Sequence, residues 1–261
     1  MSAIIFARPR YDYDSYQDLY SLIELSEFPL VYFDEVDPDS DNRYLLTMIN
    51  GENQQGWQSP RAKIWHLNGE WCEYPPVPGL AGTFHFDKWY AAEIGARYVP
   101  LGSHPDLRQS KQSLEHADSL SPERYDVALL GYIIPRRQQM QHDLRQQGVS
   151  LSPSSAWGEE RHKVLSNSAV YGHIHQHDDK PGLPALRMVV AAAYAMPFVT
   201  ESVVDAGMFS DVILQAPYNY YAGFVRDWLR SERDMLVDKG ARLHDLLCCD
   251  FTFRESVESV L

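Results

Sequence analysis

The chain has 261 residues, of which 44% are apolar and six are tryptophan, and its net charge is −13. That composition suits one large or two small packed domains and excludes a disordered chain, and no apolar run reaches the roughly 20 residues that cross a bilayer. Residues 1–125 hold 10 Lys/Arg against 19 Asp/Glu and residues 126–261 hold 13 against 17, which excludes a broad basic surface for nucleic acid and leaves only a local patch for any DNA contact.

The opening "MSAIIFARPRYDYD" has a four-residue apolar run and then charge, unlike a secretory signal. Cys72, Cys248 and Cys249 are odd in number and lack CxxC spacing. Reduced thiols and a cytoplasmic location are the expectation.

Taken in chain order, apolar runs predict strands at 3–7, 29–33, 43–49, 62–67 and 97–101. Between the first two, "DSYQDLYSLIELS" places Tyr16, Leu19, Tyr20 and Ile23 at helical spacing, with Asp14 or Ser15 as N-cap. The acidic run Asp34 to Asp41 lacks the glycine and spacing of a calcium loop and reads as solvated. Residues 87–96 predict a short helix ending at Gly95, and the polar stretch 106–124 predicts a connection between domains.

A second alternation begins at residue 125. It has a buried-type strand at 125–133, a helix from Pro135 to about Gln147 closed by Gly148, a short strand at 149–151 and a helix at 158–167. A strand at 169–174, a helix at 184–195, short strands at 196–202 and 211–216, and a largely helical remainder complete it. The pattern predicts an α/β protein of two Rossmann-like halves, 1–115 and 116–261, with parallel sheets and ligands at the C-terminal ends of the strands.

Within that frame, "VYGHIHQHDDKPGLPALRMV" (170–189) ends a strand with His173, His175 and His177 on one face and adds Asp178 and Asp179. Such a set could hold zinc, or form a polar surface loop, or line a substrate site. Arg187 lies in the first turn of the next helix, where the dipole disfavours a cation. It therefore calls for an acid, Asp178 or Asp179, or for a bound anion. Gly131 would let the chain turn tightly after its strand, and Arg136 and Arg137 sit at a helix start, where free N–H groups favour phosphate. The dinucleotide and P-loop glycine fingerprints are both absent.

In the first half, Gly102, Ser103 and His104 come just after a strand, and "RPRYDYDSY" (8–16), with Asp14 and Ser15, has a composition suited to a polyhydroxylated ligand. The aromatic segments "WHLNGEW" and "FHFDKWY" carry Glu70 and Asp87, the candidate general bases.

The segment "HKVLSNSAVYGHIHQHDDKPGLPALRMVVAAAYAMPFVTES" (162–202) resembles the nucleotide-sugar-binding half of GT-B glycosyltransferases, notably the spore-maturation group. The shared pattern is a helix ending in Ser/Asn, a strand ending in His, a loop, an "LR" helix rich in small residues, then proline, two apolar residues, Ser/Thr and Glu. The first half, with "YDYDSYQDLYSLIELSEFPLVYFDEVDPDSD" and "RYVPLGSHPDL", is similar to small phage-encoded glycosyltransferases.

The resemblance implies an active site in the cleft between the halves and a donor diphosphate near Leu186 and Arg187, with Gly131 and Tyr132 opposite. It puts His173 or His175 beside the sugar and implies a metal-independent enzyme with no cofactor beyond its nucleotide-sugar substrate. The acceptor side would use Asp14, Ser15, Ser103 and His104, toward a hydroxyl acceptor that includes a hydroxymethylated base in phage DNA. Many family members carry a ribose-binding glutamate where this chain has Val190, so donor anchoring is rearranged, or Glu201 takes that part, or the protein binds nucleotide sugars without turnover. The other enzymatic reading is a metal-dependent hydrolase built on His173, His175 and Asp178.

Overall fold

The structure is a computed structural model and describes residues 3–10, 17–37, 39–47, 63–68, 80–109, 125–156, 158–179 and 181–261. Asp14, Ser15 and Glu70 lie outside the described residues, as does most of the polar connection at 106–124. The chain divides into two compact units, Met1–Gly102 with Phe253–Leu261, and Ser103–Thr252.

The first unit is built on a parallel sheet of six strands in the order β2-β1-β3-β4-β5-β6. These are β1 (Ile4–Arg8), β2 (Leu30–Tyr32), β3 (Arg43–Thr47), β4 (Lys63–Asn68), β5 (Gly82–His85) and β6 (Arg97–Tyr98). Helix α1 (Gln17–Leu25) buries Leu19, Tyr20, Leu22 and Ile23, the stripe that its helical spacing predicts. Strand β5 is the element that the sequence does not announce, because it is four residues long and begins at a glycine. A Cβ at Gly82 would sit 2.5 Å from the Trp65 ring. The bare backbone there leaves room for Trp65, which stacks on Phe84 with ring centroids 4.6 Å apart.

Helix α2 (Lys88–Ile94) is capped by Asp87, whose carboxylate accepts from the Tyr90 N–H at 2.6 Å, and it ends on Gly95 in the left-handed region.

The second unit carries a parallel sheet in the order β10-β9-β8-β7: β7 (Tyr125–Ala128), β8 (Ser168–His173), β9 (Phe198–Glu201) and β10 (Leu214–Ala216). Its helices are α3 (Pro135–Gln146), α4 (Gly158–Ser166), α5 (Ala185–Ala193), α6 (Tyr218–Ser231) and α7 (Arg233–His244), the last running into a wide π-type turn at Asp245–Asp250. Its core joins Val127, Val170 and Val199 of three neighbouring strands to Met140 and Leu144 of α3 and to Tyr221 and Val225 of α6. The strand expected at 149–151 is reduced to one bridge between Leu151 and Val127.

The units do not divide where the sequence suggests. The first takes back helix α8 (Phe253–Glu258), which seats Phe253 against Phe6 and Phe28, with centroids 5.9 and 6.3 Å apart. Gly102 N–H donates to Ser256 Oγ at 2.7 Å, and Arg97 Nη1 to the Val260 carbonyl at 2.9 Å. A six-residue helix carries no pattern that says which sheet it covers, so its return is decided by long-range packing.

Candidate functional site

Three parallel strands of the second unit end side by side, and the segments leaving their C-terminal ends form the site. Strand β7 runs into Leu129–Gly131, β8 ends at His173 and β9 ends at Glu201. Helices α3 and α5 start beside these ends, and neither has a side-chain N-cap bond, their caps being Ile134 and Pro184. Both helices point their positive dipole ends outward, although Pro135 has no N–H and, in α5, the Ala185 N–H donates to the Leu183 carbonyl at 2.8 Å and the Arg187 N–H to the Pro184 carbonyl at 3.0 Å. Yet the first turns carry Arg136, Arg137 and Arg187.

Arg136 is fully compensated. Its Nη1 and Nη2 grip Glu201 at 2.5 Å each, its Nε bonds Asp178, and its guanidinium lies 3.9 Å above the Tyr218 ring. Burial works against its charge, but the two carboxylates outweigh it and raise its pKa.

Arg137 and Arg187 have no carboxylate partner among the described residues. Arg137 is buried and donates to the Ile174 carbonyl at 3.0 Å and the Tyr132 carbonyl at 3.1 Å. Burial first, then Arg187, lowers its pKa to about 10, which still leaves it charged at neutral pH. Arg187 Nη1 meets His173 Nδ1 at 2.6 Å. A guanidinium only donates, so His173 Nδ1 accepts and the imidazole proton is on Nε2. Complete burial, helped by Arg187, holds the His173 pKa well below its ordinary value, so the ring is neutral.

The two guanidiniums converge on Gly131, which has φ +126° and whose N–H donates to the Ser154 carbonyl at 3.0 Å. A Cβ there would lie 2.7 Å from Arg187 Nη2 and 2.9 Å from Arg137 Nη1. Two cations held together without an acid among the described residues, at the positive ends of two helices, give this turn the chemistry to take up an anion.

Several sequence expectations are corrected here. Asp178 pairs with Arg136 and not with Arg187, and Asp179 is exposed. Glu201 holds Arg136 and accepts from the His175 N–H at 3.2 Å, so its carboxylate is already bonded within the loop. The ligand atoms of His173, His175 and Asp178 do not converge among the described residues: Arg187 meets His173 Nδ1, His175 Nε2 donates to the Ser202 carbonyl at 3.1 Å, and Asp178 is on Arg136. Among the described residues, the one group whose ligand atoms converge is His244, Asp245 and Cys249, beyond the opposite end of α5.

Asp87, offered as a base, has its carboxylate engaged as a helix cap in the first unit. Ser103 is wholly buried and its hydroxyl donates to the Val189 carbonyl at 2.9 Å, which makes it a staple under α5. His104 is partly buried, and its Nδ1 accepts from the Asp106 N–H at 3.1 Å.

Tyr132 is 72% exposed beside the arginines, Leu186 is half-buried in the first turn of α5, and Val190 is buried. Sequence reasoning missed Tyr218, whose hydroxyl also donates to the Arg136 carbonyl at 2.8 Å. The 82 positions between those two residues put the pair beyond any local pattern.

These contacts lead to two expected results. Glu201→Ala strips a half-buried cation of its main partner and should cost about 3 kcal/mol, read as a lowered unfolding temperature. Glu201→Gln, which keeps an acceptor, should cost less.

Acid should also weaken the fold. His66 is pushed down to about 4 by burial and by His85, and burial lowers His173 and His175 as well. Their folded values lie below the unfolded value near 6.5, so the unfolded chain takes up more protons as pH falls. For His66 stability should then drop by roughly 1.4 kcal/mol per pH unit between about pH 6.5 and pH 4, with His173 and His175 adding to the loss in the same direction. Urea titrations between about pH 7.5 and 5 measure it, and a flat profile would contradict the buried neutral imidazoles.

No family model and no curated relative matches the sequence. Solved structures do. A glycosyltransferase involved in avilamycin A biosynthesis superposes with a TM-score of 0.64 at 12% identity, over 98% of this chain and 96% of that one. An α1,3-fucosyltransferase gives 0.57 at 10% identity, over 98% and 89%. A DNA-modifying β-glucosyltransferase whose substrate is uridine diphosphoglucose gives 0.54 at 12% identity, over 100% and 98%. At these identities the likeness is one of fold, and the chain has the GT-B fold of glycosyltransferases.

Proposed function

We propose that this GT-B-fold chain transfers a sugar from a nucleoside-diphosphate sugar to a hydroxyl acceptor, with Arg137 and Arg187 holding the diphosphate. The observation that carries the reading is the convergence of two guanidiniums on Gly131 with no carboxylate between them among the described residues. A diphosphate supplies the missing negative charge, and its oxygens suit forked donors.

During transfer the bond from the sugar's anomeric carbon to the diphosphate oxygen breaks, and negative charge grows on that leaving oxygen. Cations and helix dipoles already in place would stabilise this charge without reorganising, and need no bound metal to do so. Arg136, neutralised by Glu201 and Asp178, instead braces the loop after β8, accepting little of that task. His173, neutral at Nδ1, aims Arg187.

The first acceptor to assay is DNA bearing hydroxymethylated bases, because one fold neighbour modifies DNA. The net charge of −13 weighs against a long backbone footprint, so any DNA contact should be short and only weakly salt-dependent. Release of free sugar from UDP- or GDP-sugars tests the donor half of the reading without knowledge of the acceptor. Binding of the nucleotide sugar without turnover, in the presence of acceptors, would instead favour a binding protein.

A further inference from the structure

Thr200 lies within β9, one residue before Glu201, and is completely buried. Its Oγ1 has no hydrogen-bond partner among the described residues. A buried hydroxyl left unbonded is unfavourable, and most such groups in folded proteins have a partner.

The strand register shows where this one faces. Parallel pairing of β8 with β9 sets His173 opposite Thr200. Paired residues on adjacent strands project to the same face, with the strands about 4.8 Å apart. That face is the one approached by α5, since Arg187 of α5 bonds the His173 ring.

His173 adds a second unused group. Its Nδ1 is taken by Arg187, and its Nε2–H makes no hydrogen bond among the described residues. The face therefore carries one neutral N–H donor and one buried hydroxyl that both donates and accepts, with Arg187 bonded to the ring that bears the donor.

We propose that Thr200 is a ligand-binding residue: its hydroxyl and the His173 Nε2–H together hold a hydroxyl of the donor's sugar. The assignment rests on the nucleotide-sugar reading of the Arg137 and Arg187 site. A hydroxyl that gives and takes hydrogen bonds matches a sugar hydroxyl, whereas the phosphates are drawn to the guanidiniums.

Thr200→Val tests this, because it removes the hydroxyl while keeping shape. Titration calorimetry would use UDP, GDP and their glucose conjugates, beside thermal unfolding of the free protein. In the variant, affinity for the sugar conjugate should fall about 10-fold, the worth of a buried neutral hydrogen bond, while affinity for the diphosphate alone stays put. The free protein should unfold at the same or a higher temperature, since an unbonded polar group has gone. Thr200→Ser, which restores the hydroxyl, should recover sugar-conjugate binding.

Three outcomes overturn the proposal while leaving the nucleotide-sugar reading intact. These are unchanged affinity for the conjugate, an equal loss for the bare diphosphate (which makes Thr200 a phosphate contact), or a clearly lowered unfolding temperature (which gives the hydroxyl an internal partner). If the unmodified protein binds neither diphosphates nor conjugates, the nucleotide-sugar reading fails and this proposal fails with it.

Discussion

Arg187→Ala should lower kcat/KM for the donor by about 10²- to 10³-fold, the scale on which removal of one preorganised charged donor acts. Arg187 is the better aimed of the two free cations, because His173 Nδ1 holds its guanidinium at 2.6 Å and cannot protonate near neutrality to release it. The same change should leave the fold as stable as before or more so. Of the like charges around Arg137, Arg187 is the one that most lowers its pKa, second only to burial. Removing it relieves that repulsion. Loss of activity with unchanged or raised unfolding temperature is the signature of a residue kept for its ligand. A variant that loses stability and activity in proportion would instead mark Arg187 as structural. Steady-state kinetics beside thermal unfolding measures both.

Gly131→Ala should be nearly as damaging for a different reason. An added Cβ would lie 2.7 and 2.9 Å from the ends of Arg187 and Arg137, closer than carbon and nitrogen tolerate. Elsewhere a long side chain could swing aside. Here Arg137 is tied to two backbone carbonyls and Arg187 to His173, so neither yields without losing its aim. The backbone adds its own penalty, since φ +126° lies outside the range that alanine readily adopts and costs about 1–3 kcal/mol. The expected result is a donor affinity reduced at least ~10-fold together with a lowered unfolding temperature. Gly131→Ala with unchanged donor affinity would mean that the guanidiniums do not meet the ligand at this turn.

Much of the fold was legible in the sequence, and the particulars show why. The alternation of apolar runs and helical stripes predicts two parallel α/β units, because both periods are local properties of the chain. An arginine in the first turn of a helix announced a need for an acid or a bound anion, and Arg187 sits without a carboxylate partner among the described residues. The choice of partner was not legible. Asp178 is nearer to Arg187 in sequence, yet it bonds Arg136, because strand ends bring α3 and the β8 loop together across 42 positions of chain.

Glu201 illustrates the same limit. The family resemblance marks it as a candidate in place of the glutamate missing at Val190, but only the fold shows that Arg136 fills it. Ser103 and Asp87 carried the right chemistry for function and turned out to hold a helix carbonyl and a helix start. Composition cannot distinguish a reactive group from a group already bonded. Thr200 had no signal at all, since its interest comes from a bond that it lacks.

The central claim is that the turn at Gly131, with Arg137 and Arg187, takes the diphosphate of a nucleotide sugar. Titration calorimetry of UDP and GDP against the unmodified protein and Arg187→Ala tests it most directly. The account predicts one diphosphate bound per chain, with affinity falling at least ~10-fold in the variant, in line with the loss of a charge-assisted hydrogen bond. Equal affinity in the two proteins, or no binding to either, would contradict it.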